Sequence, residues 1–348
     1  MNLRFTITYR LNQGIAYIER ARGFLDAVQL SEAWMREMSA QAFLLEAHHT
    51  THIEGTHLTL DEAAQAFAGQ IPPHADADDL QELLNYRDAF SVVTSYLQSG
   101  APVTEALIRE IHQRLVKDVR GNQARPGQYR LGQNYVANSI TGEVIYTPPP
   151  PGAVPGEMQE LVEWLNQPGE IHPILVSGIA QFQLVHIHPF MDGNGRTSRL
   201  LSTLCLYRAG YDFKRLFTLS EYYDRDRAAF YAAIQGVREA DLDLTSWLEY
   251  FVSGLATQLT EVQTQGRRAV ALDESLKHYR LAPRQTEVLR YLLIHPSMNI
   301  QDFERLCPAV ARRTLQRDLG DLLARGLLRQ IASSPTDPGR RYELNPEL

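Results

Sequence analysis

The 348-residue sequence has only two cysteines, Cys205 and Cys307. They lie far apart and match no metal-ligand spacing. That excludes a disulfide framework or a zinc module and leaves two buried thiols as the expectation. No apolar run approaches the roughly 18 residues needed to span a bilayer. The opening stretch, MNLRFTITYR, lacks the apolar centre of a signal peptide, so a cytoplasmic location is expected. Internal repeats are absent, and low complexity is confined to Pro148-Pro-Pro-Pro151. Overall basic charge is lacking too: the net charge is −7. It is unevenly spread. Residues 280–348 hold 11 basic against 8 acidic residues, whereas the rest holds 23 against 33. An acidic body with a mildly basic tail predicts different work for the two. With 44% hydrophobic and 22% charged residues the composition is that of an ordinary globular protein, long enough for two domains or more.

Helical spacing dominates what is present. Residues 14–69 read as helices, with Trp34, Met35, Met38, Ala42, Phe43 and Leu45 recurring on one face. Thr59-Leu-Asp-Glu62 has the form of a capping box, and Thr104 is placed to cap a helix ending near Leu115. Leu80 to Leu97 is a further amphipathic helix. The texture changes between Gly127 and Thr147, where Tyr129, Tyr135, Val136, Val144, Ile145 and Tyr146 flank Ser139-Ile-Thr-Gly142 and predict a β-hairpin. Pro148–Pro151 ends it. Helices resume from about Gly156 to Leu259, which predicts a mainly α body with one hairpin. The body is expected to end near Thr264-Gln-Gly266. After it, Glu287–Ile294, Ile300–Leu306 and Ala309–Ala324 precede apolar strands at 326–331 and 340–344, the parts of a winged helix. The expected organisation is a helical region at 1–100, a core at 101–260, a linker helix at 261–282 and a winged-helix domain at 283–348.

The chemistry concentrates at 186–199, His-Ile-His-Pro-Phe-Met-Asp-Gly-Asn-Gly-Arg-Thr-Ser-Arg. Pro189 stops one helix, Gly193-Asn-Gly195 tolerates positive φ, and Thr197 onward is helical again. Such a loop offers unpaired backbone N–H groups at a helix N-terminus, which is an anion site. Arg196 and Arg199 lie one turn apart and can address one polyphosphate. Asp192 beside a triphosphate would hold Mg²⁺, which takes one carboxylate with phosphate oxygens and waters. His188 carries a side chain suited to removing a proton from an attacking hydroxyl near neutral pH. Base, metal carboxylate, anion nest and arginine clamp make a phosphoryl or nucleotidyl transfer kit.

These residues resemble the Fic (filamentation induced by cAMP) family, whose signature is H-P-F-x-[DE]-G-N-G-R-x-x-R. Every fixed position is matched. The resemblance implies a helical Fic fold and an ATP- and Mg²⁺-dependent protein adenylyltransferase that moves AMP to a Ser, Thr or Tyr hydroxyl. It implies His188 as general base and Asp192 as Mg²⁺ ligand. Gly193, Asn194, Gly195 and Arg196 would hold phosphates, and Arg199 would orient the γ-phosphate. Thr50-Thr-His-Ile-Glu-Gly55 resembles the family's inhibitory motif, in which Glu54 would pair with Arg199 and block γ-phosphate placement. The same Glu could instead orient water for removal of AMP. The hairpin 129–146 resembles the flap on which a target segment docks by strand addition. Ser220–Tyr231 resembles the helix start lining the nucleotide pocket, with Tyr222, Tyr223 and Arg227 as candidate contacts. A homodimer follows by family habit.

Other candidates stand outside the signature. Asn134 is placed to point at the site, His172 and His186 read as structural histidines, and Tyr135, Ser139 and Thr141 are possible self-modification sites. In segment 309–324, Arg312, Arg313, Thr314, Gln316 and Arg317 are types that contact phosphates and bases, with Arg340 and Arg341 in the wing. Asp318 and Asp321 dilute that face, and winged helices also dock proteins. A DNA-binding regulator with a nucleotide-sensing body is therefore the alternative class of function.

Overall fold

The computed structural model describes residues 3–119, 123–137, 141–295, 297–331 and 339–345. It is mainly helical. Helices α1 (Tyr9–Ala27), α2 (Glu32–Ile53), α3 (Leu60–Phe67), α4 (Ala77–Ser99) and α5 (Glu105–Leu115) come first. Local chemistry sets several of their ends. Thr59 and Glu62 form the expected capping box at α3, and Asp76 caps α4, which stops at Gly100 with φ 64°. Thr104 caps α5 by accepting from Leu107 N–H.

The hairpin is shorter than its sequence suggests. Strands β1 (Val136–Ala137) and β2 (Val144–Tyr146) pair antiparallel with an irregular register. Residues 128–134 do not join the ladder because their polar groups are committed elsewhere. Arg130 N–H, for example, donates to Pro189 O at 2.9 Å. Ser139 and Ile140 lie outside the described residues.

Helices α6 (Val154–Asn166), α7 (Pro173–Ile187), α8 (Asn194–Arg208), α9 (Leu219–Arg225), α10 (Arg227–Glu239) and α11 (Thr245–Leu276) follow. Helix α7 is apolar nearly all round, so it lies at the centre of the bundle rather than on its surface. It packs along α8, where Ser177 Oγ and Ser202 Oγ lie 2.7 Å apart. A Cβ on Gly178 would stand 3.0 Å from the Phe251 ring, and Trp247 Nε1 donates to Gly178 O at 2.8 Å. That glycine lets α11 approach α7. Leu83, Leu107, Ile108, Leu161, Leu200 and Leu201 fill the space among α4, α5, α6 and α8.

The chain divides into two compact units, Met1–Arg22 with Ala40–Leu259 and Gly23–Ser39 with Thr260–Leu348. Helix α11 runs without a break through Gly266 to Leu276, since Leu259, Val262, Ala269 and Leu272 keep one face buried. The second unit carries α12 (Pro283–Ile294), α13 (Ile300–Leu306), α14 (Arg312–Ala324) and the antiparallel pair β3 (Leu328–Ile331) and β4 (Arg341–Leu344). A bridge from Met298 to Tyr342 extends that sheet, and Val288, Phe303, Leu315 and Leu319 fill the core beneath it. Of the two thiols, Cys205 is buried as expected, whereas Cys307 at the end of α13 is only partly covered.

Candidate active site

Helix α7 ends at His188, which takes the left-handed conformation (φ 51°, ψ 57°). Pro189 follows and cannot continue the helix. His188 Nδ1 lies 3.2 Å from Val185 O. A carbonyl only accepts, so Nδ1 carries the proton and Nε2 keeps its lone pair. Burial lowers the His188 pKa to about 4; the Val185 hydrogen bond opposes that shift, and the Arg238 and Arg130 charges add to it. The ring is therefore neutral at physiological pH.

The loop 189–193 is held from several sides. Asn194 folds back on Phe190, accepting from its N–H and donating to its O, both at 2.9 Å. Its side chain is thus a loop brace, leaving its backbone N–H for an anion. Asn134 Nδ2 donates to the same Phe190 O at 2.9 Å, so this residue does reach the site, through the loop's main chain. His112, which sequence reasoning missed, is fully buried and stacks on Phe190 with ring centres 3.7 Å apart. It accepts from Gly127 N–H at Nδ1 and donates from Nε2 to Asp192 O. Burial pushes its pKa down to about 4 and keeps it neutral. Nothing local in α5 marks it, because its partners lie across the fold. Gly193 starts α8 with φ 76°, and a Cβ there would come within 2.7 Å of Val116. Asp192 remains half exposed at the mouth of the loop.

The two signature arginines are both buried, with different partners. Arg196 pairs with Glu82 of α4 at 2.5 Å, both side chains being almost fully enclosed, and stands 3.8 Å from Asp192. Glu82, like His112, was not singled out from the sequence, because its partner lies across the fold. Arg199 donates through Nε to Thr50 Oγ1 at 2.7 Å, and through one terminal nitrogen to Thr50 O at 2.9 Å and Glu54 Oε1 at 2.6 Å. Burial works against the Arg199 charge, but Glu54, Tyr231 and Glu46 together outweigh it and move its pKa up. The expected Glu54–Arg199 pair is thus formed. A Cβ built on Gly195 would lie 2.2 Å from Glu54 Oε1, so the carboxylate is seated directly against the first turn of α8. A helix start favours anions for two reasons, the unpaired N–H groups and the positive end of the helix dipole.

Helix α2, which delivers Glu54, is clamped near its end. His49 and His52 both reach Asp224 Oδ2 at 2.7 Å, and Arg227 Nε donates to Asp224 Oδ1 at 2.6 Å. Arg227 therefore sits beside the end of α2, next to the segment that carries Glu54. Tyr231, not singled out from sequence, is half exposed there and its hydroxyl reaches Ile53 O at 3.5 Å. Tyr223 is a correction. It is fully buried, stacks on Phe230 at 4.3 Å and donates to Gln181 at 3.2 Å, so its ring belongs to the aromatic core with Trp247 and cannot face a ligand. Tyr222 is a second correction. It lines a groove with Arg10, Tyr17 and Tyr250 whose walls include none of residues 188–199.

On the flap, Leu131, Tyr135, Val144 and Ile145 are exposed, as is Met191 in the loop. Thr141 is also exposed, and Ser139 is outside the described residues. His186 and His172 are structural as expected: His186 Nδ1 meets the Tyr146 hydroxyl at 3.0 Å, and His172 caps α7. In the second unit Arg312 pairs with Glu304, and Arg341 donates to Ser297.

Comparison with known proteins places this geometry. The Fic/DOC family profile matches residues 102–206, and the Fic/DOC family N-terminal profile matches residues 11–94. A curated relative, protein adenylyltransferase Fic of Drosophila grimshawi, is 29% identical over 261 residues, 72% of this chain and 52% of the relative. The protein of the same name from Drosophila ananassae is 32% identical over 197 residues, 56% of this chain and 38% of the relative. The chain thus spans about half or less of the length of these relatives. A crystal structure of a Fic family protein from Desulfovibrio desulfuricans shares the fold, with a TM-score of 0.65, over 99% of this chain and 98% of that one at 22% identity. The two profiles together take in more than half of the sequence, and the chain belongs to the Fic/DOC family.

Proposed function

We propose that this chain is a protein adenylyltransferase, moving AMP from ATP to a hydroxyl of a protein segment docked on the flap, and that Glu54 restrains it. One observation carries the reading. A neutral His188 with an available Nε2 stands at the head of an anion-binding helix start, and Glu54 already occupies that start as an internal anion. His188 Nε2 takes the proton of the target hydroxyl, whose oxygen attacks the α-phosphorus. A P–O bond forms, the bond to the bridging oxygen breaks, and pyrophosphate leaves. The backbone of Gly193, Asn194 and Gly195 and the side chains of Arg196 and Arg199 hold the polyphosphate. The curated relatives are named protein adenylyltransferases, which supports the same reading.

The donor set fits Mg²⁺ brought by the nucleotide. Among the described residues no group of three or more His, Cys, Asp or Glu side chains would hold a metal unaided. Asp192 is a single half-exposed carboxylate at the helix start, and Mg²⁺ bound to polyphosphate asks for about one or two carboxylates. When bound, the ion would offset charge on the phosphates.

ATP labelled at the α- or the γ-phosphate tests the reaction. Label retained on protein from the α position only is the expected result. Label from the γ position only would make the chain a kinase, and neither, with ATP still bound, would leave a nucleotide sensor. The low His188 pKa adds a pH test. A lowered value keeps the base unprotonated further into acid, so kcat/KM is expected to stay flat from pH 8 down to well below the ordinary histidine value of about 6.5. An acid limb centred near that ordinary value would contradict the assignment.

A second reading concerns α14. Asp318 is buried against Arg284, and Asp321, still partly exposed, accepts from Arg325 and Gln285, so both acids that diluted this face in sequence are paired within the unit. Arg313, Gln316 and Arg317 remain exposed on one stripe. This supports DNA contact by the winged-helix unit. Binding to duplex DNA that weakens steeply with salt, and more weakly after Arg313→Ala and Arg317→Ala, is expected. Salt-independent or absent binding would leave α14 as a protein-docking helix.

A further inference from the structure

The last carbonyls of an α-helix have no partner within the helix. At the end of α7 Val185 O is met by the His188 ring, and the next three, His186 O, Ile187 O and His188 O, are met by Arg130 and by Tyr146 at the end of β2. Tyr146 Oη donates to His186 O at 2.9 Å. Arg130 Nε donates to His188 O at 2.8 Å, and one of its terminal nitrogens reaches Ile187 O at 3.4 Å and Pro149 O at 2.5 Å. Its other terminal nitrogen reaches Gly132 O at 3.4 Å. Arg130 is 1% exposed, yet every hydrogen bond it makes among the described residues goes to a main-chain carbonyl. A buried guanidinium without a carboxylate is normally costly. Here Glu157 acts on it through space without a direct hydrogen bond, and the negative end of the α7 dipole adds to that compensation.

His188 needs such support. A left-handed backbone at a non-glycine residue costs about 1–2 kcal/mol, and it sets where the imidazole points. The direct hold on the His188 carbonyl comes from Arg130. Arginine suits the task because its planar fork spans several acceptors at once, which a lysine ammonium cannot do.

We propose that Arg130, assisted by Tyr146, is a positioning residue that bolts the flap to the catalytic base, so that a target strand added to the flap arrives in register with His188 Nε2. The inference rests on the adenylyl-transfer reading and names a determinant of the same site. Arg130 spends its donors on main-chain carbonyls and acts through the main chain of His188.

The test uses the full chain in a Glu54→Gly background. Arg130→Lys is expected to lower kcat for AMP transfer by about 10- to 100-fold, the scale of small misplacements of reacting groups, with KM for ATP and ATP binding unchanged. Tyr146→Phe removes only a hydroxyl and is expected to lower kcat a few-fold, non-additively with Arg130→Lys. Unchanged kcat in both variants would overturn the proposal, as would a loss that tracks ATP affinity or unfolding. The ring ¹⁵N signals of His188 separate this from failure of the activity itself. Should the Glu54→Gly parent transfer no AMP, the transferase reading falls. The positioning role then stands if those signals shift in Arg130→Lys, and falls if they match the parent.

Discussion

Replacing Glu54 by glycine is expected to raise AMP transfer by about 10- to 100-fold over the wild type. The estimate follows from what the carboxylate does. It accepts a charge-assisted bond of 2.6 Å from a buried Arg199, and it stands against Gly195 where a phosphate would approach. Such a bond contributes about 1.5–3 kcal/mol, and each ~1.4 kcal/mol is a factor of ten in the population of the released state. Thr50 still holds Arg199 from the other side, so the guanidinium stays in place when Glu54 is gone. Glu54→Gln separates the two effects, since it keeps the bulk over Gly195 and loses the charge. His188→Ala in the activated background is expected to remove roughly 10²- to 10⁴-fold, the usual contribution of a positioned base. Label transfer from α-labelled ATP to the protein itself and to lysate acceptors reads all of these. Equal transfer by wild type and Glu54→Gly would overturn the restraint. If removal of AMP is instead the main reaction, Glu54→Gly will abolish it while synthesis rises.

Glu82→Ala is expected to be the most destabilising single change near the site. It leaves the enclosed Arg196 guanidinium without its carboxylate, and breaking a buried pair costs about 3–5 kcal/mol. For a unit of this size that is a fall in Tm of roughly 10 °C. Glu82→Gln keeps a hydrogen-bond acceptor and should lose clearly less. ATP is expected to stabilise Glu82→Ala more than wild type, because phosphate would give Arg196 a new partner. Thermal melts with and without nucleotide measure both. A loss below about 1 kcal/mol would mean that Arg196 is carried by other contacts.

The parts of the site that are contiguous in sequence were legible because their chemistry is local. A proline stop, a glycine turn, a helix start and four chemically distinct side chains within 188–199 can do little else together. The caps at Thr59 and Thr104 were legible for the same reason, since a helix end is satisfied within three residues. The Glu54–Arg199 pair was anticipated only because a motif spaced far from the loop resembled a known one. Where residues depend on partners across the fold, sequence fell short. Tyr222 and Tyr223 lie in a segment that resembles a nucleotide-lining helix start, yet Tyr222 packs against Tyr250 and Tyr223 against Trp247.

By itself, then, the sequence determined most of the helices, the proline-stopped loop after His188 and the helix start that follows it, because periodicity, capping and backbone freedom act over a few residues. Only the tertiary structure decided which carboxylate each arginine meets, that His112 and Asn134 brace the loop, and that Arg130 and Tyr146 tie the flap to the end of α7. Those are contacts between groups tens of residues apart. They exist because burial leaves each charge and each unpaired carbonyl needing a partner, and the packed fold settles which one lies within reach.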